Sequence, residues 1–82
     1  MNITSAEEAE ELTSTWLKNK FHDKVKKIRF SQVALENGIW QVKAELDLKT
    51  GIMRKARHQL SVSIDSTAGK VLSYKEGAAQ EI

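Results

Sequence analysis

Hydrophobic and polar residues alternate with two different periods along this chain. Over residues 5–21, apolar residues recur at every third or fourth position, which predicts an amphipathic helix. Thr4 and Ser5 can each cap the first turn, and the glutamates that follow suit the helix dipole there, as Lys18 and Lys20 suit it in the last turn. The predicted stripe consists of Ala6, Ala9, Leu12, Thr13, Trp16, Leu17 and Lys20, and Phe21 extends it.

From residue 25 onward the period is two, which is typical of strands that bury one face. Asn37-Gly38 is the strongest turn signal, because both residues tolerate positive φ in a tight hairpin. Further turns are predicted at 49–51 and 65–69. We predict strands at 25–36, 39–48, 52–65 and 70–75, followed by a frayed tail at 76–82.

The apolar residues of the first predicted strand change parity once. Ile28 and Phe30 share one face, whereas Val33 and Leu35 share the other face of a regular strand. One extra residue at 31–32 would reverse the alternation and bring all four side chains to the same side. We therefore predict a β-bulge at this point.

The second and third predicted strands alternate regularly, so that even-numbered residues from Trp40 to Ile64 share one dry face. The length of the turn between the strands decides which residues face each other. We expect a short turn that places Leu48 opposite Ile52. The same register would pair Glu45 with Lys55, Lys43 with Arg57 and Val42 with His58.

The helix and the sheet each carry one apolar face that must leave water, so the helix is expected to lie across the sheet. The predicted fold is α+β, with one N-terminal helix packed on a four-stranded antiparallel meander sheet, and residues 1–82 form a single domain. The dry face of the sheet should carry Phe30, Val33, Leu35, Trp40, Val42, Leu46, Leu60, Val62 and Ile64. No predicted element covers the opposite face, which makes it the natural surface for a partner.

Three short stretches carry a family resemblance. Ser5-Ala6-Glu7-Glu8-Ala9 opens the helix, Trp40-x-Val42 lies in a strand, and Val62-x-Ile64-Asp65-x-x-x-Gly69-Lys70-Val71 spans the last turn. This order resembles a PepSY-type domain over residues 4–75. The resemblance implies a PepSY-like or cystatin-like fold. It also implies inhibition or ligand binding, because such domains accompany secreted metallopeptidase propeptides and membrane-associated proteins. It supplies no catalytic residue.

Composition excludes several kinds of chemistry. The 82 residues include no cysteine, so disulfides, thiolate metal sites and cysteine nucleophiles are ruled out. The two histidines, His22 and His58, lie far apart in the sequence, and no paired carboxylate accompanies either. No glycine-rich phosphate loop is present, and Asp65-Ser66-Thr67 lacks the acidic spacing of a calcium loop. We therefore expect no enzymatic activity, no cofactor and no metal.

Hydropathy gives no sign of a membrane-spanning segment or a signal peptide. No apolar run approaches the roughly 20 residues that cross a bilayer, and the first residues lack the basic and apolar regions of a signal peptide. We accordingly expect a cytoplasmic protein with no membrane partner.

Small size and an uncovered sheet face favour a non-enzymatic binding or regulatory module that acts through its open sheet face or sheet edges. A protein partner or self-association is the expected mode. The alternative is a weak nucleic-acid-binding domain whose basic sheet face tracks phosphates. Against it, the net charge is only +2, and every aromatic residue except Tyr74 is predicted in the core. The candidate binding residues are Ile39, Lys43, Met53, Lys55 and Arg57.

Overall fold

One helix precedes a four-stranded sheet in a computed structural model, which describes residues 2–81 and the side chains of 2–77. Helix α1 spans Ala6–Phe21 and leads into a 3-10 turn at His22–Lys24. Strands β1 to β4 span Val25–Glu36, Ile39–Lys49, Lys55–Asp65 and Lys70–Glu81. The strands pair antiparallel in the order β1-β2-β3-β4, which confirms the predicted α+β meander.

Helix α1 begins and ends where its capping residues require. The Ser5 side chain accepts a hydrogen bond from the backbone N–H of Glu8 at 3.2 Å, and the Glu8 carboxylate accepts one from the Thr4 hydroxyl at 2.7 Å. The bond from Thr4 is the main reason that the pKa of Glu8 lies below its ordinary value. The helix ends at His22, whose backbone leaves the helical conformation with a positive φ (57°) and whose N–H donates to the Lys18 carbonyl.

The core lies between α1 and one face of the sheet. Leu17 on the helix is fully buried, and the ring of Trp16 lies 5.0 Å from that of Tyr74 in β4. Burying a large apolar side chain contributes about 1.5–3 kcal/mol. The buried apolar residues are Ile3, Ala9, Leu17, Trp40, Val42, Ala44, Leu46, Leu48, Leu60, Val62 and Ile64. The even-numbered residues of β2 therefore face the core, as the alternation predicts.

Hydrogen bonds join three segments at the end of the sheet where α1 begins. The Trp40 indole Nε1–H donates to the Ile3 carbonyl at 2.8 Å, and the Ile3 N–H donates to the Ser66 carbonyl at 2.6 Å. Ser66 in turn donates its hydroxyl to the Gly38 carbonyl at 2.7 Å. The residues before α1 are thus fixed against β2 and both turns at this end, which sets where the helix enters the sheet.

The two turns at this end have the conformations that their residues favour. Asn37 and Gly38 have φ values of 52° and 77°, as the hairpin with two left-handed residues requires. At the other turn, Asp65 Oδ1 accepts the backbone N–H groups of Thr67 and Ala68. Both predicted turns are confirmed.

β1 contains the predicted bulge. Phe30 pairs with Ala44 and Gln32 pairs with Lys43, so Ser31 is the extra residue. The Ser31 hydroxyl donates to the Lys43 carbonyl at 3.1 Å. The apolar residues on both sides of the bulge consequently lie on the dry face.

The predicted register between β2 and β3 is wrong. Leu48 pairs with Ala56 rather than with Ile52, because the loop between the strands is longer than expected. The loop closes with a hydrogen bond from the Thr50 N–H to the Arg54 carbonyl at 3.0 Å. The observed pairs include Lys49 with Lys55, Asp47 with Arg57, Leu46 with His58, Glu45 with Gln59 and Lys43 with Ser61. Arg57 now faces Asp47 instead of Lys43, which is favourable, whereas Lys55 faces Lys49 instead of Glu45, which is not.

Two residues expected on the dry face of the sheet are exposed. Ile52 belongs to the β2–β3 loop rather than to β3 and is 95% exposed. Leu35 does pair with Trp40, but β1 is an outer strand, and the side chain is 51% exposed there. Position on the dry face is thus not sufficient for burial at the margin of a sheet with one helix.

The frayed tail predicted at 76–82 is also wrong over the described residues. β4 continues to Glu81, which pairs with Ala56 of β3. Extending the strand satisfies backbone groups of β3 that would otherwise lack partners. Ile82 lies outside the described residues.

We predict that Trp40→Phe lowers the free energy of unfolding by about 1–3 kcal/mol. The substitution keeps an aromatic ring in the core but leaves the Ile3 carbonyl without its indole donor. Urea unfolding followed by far-UV circular dichroism measures the change. The matched control is Trp16→Phe, which keeps a ring against Tyr74 and leaves the Trp40 bond in place. A Trp40→Phe chain as stable as the control would contradict the role of this bond.

Candidate binding surface

The sheet face opposite α1, here called the open face, is lined with polar and charged side chains. They come from the odd-numbered positions of β2 and β3 and from the residues that pair with them in the outer strands. No element of the described chain covers this face. Its central side chains are Arg29, Gln41, Lys43, Glu45, Asp47, Arg57, Gln59, Ser61 and Ser63.

Four of these side chains form an arginine–carboxylate cluster across three strands. Asp47 accepts a hydrogen bond from Arg57 Nε at 3.0 Å and another from Arg29 Nη2 at 3.3 Å, one on each carboxylate oxygen. Glu45 contacts the same two guanidinium groups at 3.5 Å and 3.7 Å. Asp47 is only 7% exposed although it lies on the open face, because the two arginines cover it.

The cluster fixes the charge state of its central carboxylate. The hydrogen bond from Arg57 is the largest influence and holds the pKa of Asp47 below its ordinary value, against the opposing effect of burial. The same bond raises the pKa of the Arg57 guanidinium. Asp47 is therefore ionised and held by the two arginines, and the positive charge left for an incoming anion is mainly that of the lysines around the cluster.

A basic depression of about 590 Å³ lies beside the cluster, towards the β2–β3 loop. Lysines from β1 and β3 surround the arginines, and Met53 closes one side. The lining residues are Lys26, Lys27, Arg29, Asp47, Met53, Lys55 and Arg57. Since the single carboxylate in this lining is bound by both arginines, the lysines leave the depression electropositive.

A second depression of about 490 Å³ lies further along the open face and has mixed charge. Bulges on the two outer strands flank it: Ser31 in β1, and an extra residue of β4 next to Gly77. Bulges increase local twist, so two at one level curl the sheet there. The polar side chains of the lining belong to Ser31, Lys43, Glu45, Gln59, Ser61, Lys75 and Glu76.

The structure brings together some of the predicted binding residues and separates others. Met53, Lys55 and Arg57 all line the basic depression, whereas Lys43 lies in the mixed one. Ile39 is half-buried at the opposite end of β2, next to the Asn37-Gly38 turn, and joins neither. Met53 lies in the β2–β3 loop, not on the outward parity of β3.

The sequence prediction missed Lys27, Arg29 and Asp47 as members of the site. All three lie on the outward parity of their strands, so the alternation contains the signal. The β2–β3 register hid it, because the expected pairing placed Arg57 beside Lys43 rather than beside Asp47.

The histidines lie in unrelated places. His22 is exposed at the end of α1, and His58 is half-buried in β3 opposite Leu46. Among the described residues, no group of three or more His, Asp or Glu side chains is arranged to hold a metal ion. Nor does that part of the chain contain a helix with the length and hydrophobicity to cross a membrane.

The outer edges of the sheet are poorly suited to strand addition. β1 has register shifts near residues 26 and 31, and β4 has them near residues 72 and 77. Bulges and lysines on an edge strand discourage pairing with another chain. The open face is therefore a better candidate for partner binding than either edge.

Comparison with known proteins gives no relative: no protein-family model, no curated protein and no solved structure matches this chain. The PepSY-type resemblance stays a prediction, and the chemistry of the open face is the basis for any functional assignment.

We predict that Asp47→Asn lowers the free energy of unfolding at neutral pH by about 1–3 kcal/mol. The change keeps the side-chain shape but leaves two arginines close together with only Glu45 between them. Urea unfolding measures it. Glu36→Gln, at the exposed end of β1, is the control and should leave stability nearly unchanged.

Comparison of wild type with Asp47→Asn also gives an expected pH dependence of stability. The folded-state pKa of Asp47 is below its ordinary value of 3.8, so the carboxylate contributes stability that is present above 3.8 and lost as the pH falls through the lower, folded-state pKa. Wild type should therefore lose more stability in acid than Asp47→Asn does. Parallel acid profiles for the two proteins would show that the cluster contributes no stability.

Proposed function

We propose that this chain is a small non-enzymatic binding module that takes an acidic segment of a partner protein on its open face. The observation that carries the proposal is the basic depression, whose one carboxylate, Asp47, is already held by two arginines. Lys26, Lys27 and Lys55 are exposed around it and supply cations for a carboxylate-rich ligand. Binding of an acidic segment without a catalysed reaction would suit a regulatory role.

The arginine–carboxylate cluster supports this function by keeping the surface ordered. Arg29 and Arg57 are tied to β2 by contacts of 3.0–3.7 Å, so they lose little side-chain freedom when a ligand arrives. The exposed lysines speed association and make it dependent on salt. Lys43 and Lys75 add two cations in the mixed depression, where Glu45 and Glu76 also lie.

Nucleic acid is the second candidate, and the same lysines favour it, because phosphates and carboxylates both pair with cations. The positions of the aromatic rings count against it. Trp40 is buried, and Trp16 and Tyr74 contact each other on the helix side of the sheet. Phe21 and Phe30 pack against the core. The open face thus lacks the rings on which bases stack in single-strand binders.

Self-association through the open face is less well supported. Stable homodimer interfaces are predominantly apolar at their centre. The centre of this face is instead the charged cluster of Arg29, Glu45, Asp47 and Arg57. A second copy would present the same charges to it.

The proposal is tested with a labelled Glu-rich peptide and with polyuridylate, by fluorescence anisotropy at low ionic strength. We expect the peptide to bind, and Lys27→Glu/Lys43→Glu to weaken it about tenfold or more. Lys18→Glu/Lys70→Glu, which makes the same change in net charge away from the centre of the face, should have a much smaller effect. Failure of the peptide to bind would contradict the proposal. Tighter binding of polyuridylate through the same lysines would favour the alternative.

A further inference from the structure

The β2–β3 loop presents two adjacent large hydrophobic side chains to water. Ile52 is 95% exposed and Met53 is 93% exposed. The other exposed large hydrophobics among the described residues, Leu35 and Leu72, are 51% and 54% exposed. Single exposed apolar residues are ordinary on protein surfaces. Two neighbours with almost no intramolecular contact form a projecting apolar tip.

The loop lies at one end of an elongated molecule. The described residues extend over 40 × 21 × 18 Å, and the strands run along the long dimension, since the eleven residues of β2 span about 33 Å. The bond from the Thr50 N–H to the Arg54 carbonyl closes the base of the loop. Ile52 and Met53 are therefore held beyond the end of the sheet, where they can enter an apolar environment without rearrangement of the fold.

Cationic residues surround the base of this tip. Lys49 and Lys55 are direct partners across β2 and β3, although like charges in that position are unfavourable. Among the side chains that the structure describes, no carboxylate forms an ion pair with either lysine. A repulsive pair of this kind beside an apolar tip is relieved when an anionic surface lies against it.

A groove of about 960 Å³ continues the same pattern towards the end of α1. Its apolar walls are Phe21, Leu48 and Ile52, and Lys24 and Lys26 stand at its rim. Asp23 also lines it, and Glu81 ends β4 at this end of the sheet. The lysines nevertheless outnumber the acidic residues around the loop.

The opposite end of the molecule is acidic. Glu7 and Glu8 occupy the first turn of α1, with Glu10 and Glu11 in the next, and Asp65 lies at the neighbouring turn. This separation of charge along the long axis orients the basic end towards an anionic surface.

We propose that the β2–β3 loop docks this chain on an anionic lipid bilayer, with Ile52 and Met53 inserted among the acyl chains and Lys24, Lys26, Lys49 and Lys55 at the level of the phosphates. A convex apolar tip inside a cationic ring matches the layering of a bilayer, in which charge lies outside and hydrocarbon inside. A protein partner would need an apolar pocket ringed by acids. This proposal departs from the sequence-based expectation of no membrane partner, which rests on the lack of a spanning segment and a signal peptide; attachment to the surface requires neither.

Co-sedimentation of the full chain with vesicles tests the proposal. Wild type should bind vesicles that contain phosphatidylserine, bind pure phosphatidylcholine weakly, and lose binding as salt is raised. Ile52→Ser/Met53→Ser should reduce binding about tenfold or more, and Lys49→Gln about fivefold. The matched control is Leu35→Ser/Leu72→Ser, which removes two exposed leucines elsewhere and should bind like wild type. Circular dichroism checks that each variant is folded.

Insertion of the loop into the bilayer can be measured separately with a fluorescent probe. The chain contains no cysteine, so Met53→Cys and Leu72→Cys can each carry one environment-sensitive fluorophore. Emission should shift to the blue on anionic vesicles for the probe at position 53 and not for that at position 72.

Absence of wild-type binding to anionic vesicles at low salt would overturn the proposal. Equal binding by Ile52→Ser/Met53→Ser and its control would overturn insertion. Loss of Glu-rich peptide binding in Ile52→Ser/Met53→Ser, without vesicle binding by wild type, would assign the loop to a protein partner instead. Lys26, Met53 and Lys55 belong to both surfaces, so the two proposals are distinguished by the ligand: vesicle binding tests the loop and peptide binding tests the open face, and Lys27→Glu/Lys43→Glu leaves the loop residues intact.

Discussion

The structure depends on the two-sidedness of β2, which pairs with a strand on each side and faces α1 on only one surface. Trp40 and Val42 are buried beneath the helix. The Trp40 indole also donates a hydrogen bond to the carbonyl of Ile3, which precedes the helix. Because side chains alternate along a strand, burial of these residues forces Lys43 and Glu45 to the opposite surface. The fold therefore creates a charged, uncovered face as a direct consequence of forming its core.

Contacts among its charged side chains hold the centre of the open face in a fixed arrangement. Asp47 is nearly buried on it because Arg29 and Arg57 reach across from the neighbouring strands. Once these charges satisfy one another, the unpaired lysines around them decide what the surface attracts. A comparable arrangement is found at the β2–β3 loop, where Ile52 projects from a ring of lysines. Both features underlie the proposed recognition of anionic partners, a role that needs no catalytic group.

Much of this fold could be predicted from sequence, because local rules decide it. The capped helix, the bulge at Ser31 and the Asn37-Gly38 turn each follow from a few neighbouring residues. The β2–β3 register could not, since it depends on a loop whose length no local signal fixed. That error hid the pairing of Asp47 with Arg57, and with it the centre of the site. Burial at the sheet margin and pairing of the last strand likewise depend on tertiary context.

Thiol labelling tests the assignment of faces most directly, since the natural chain has no cysteine. Single cysteines at positions 42, 43 and 44 of β2 would be labelled under native conditions. The structure predicts rapid labelling of Lys43→Cys and strong protection of Val42→Cys and Ala44→Cys, because residues 42 and 44 lie beneath α1 and residue 43 lies on the open face. Equal rates at all three positions in folded variants, or protection of residue 43 alone, would contradict it.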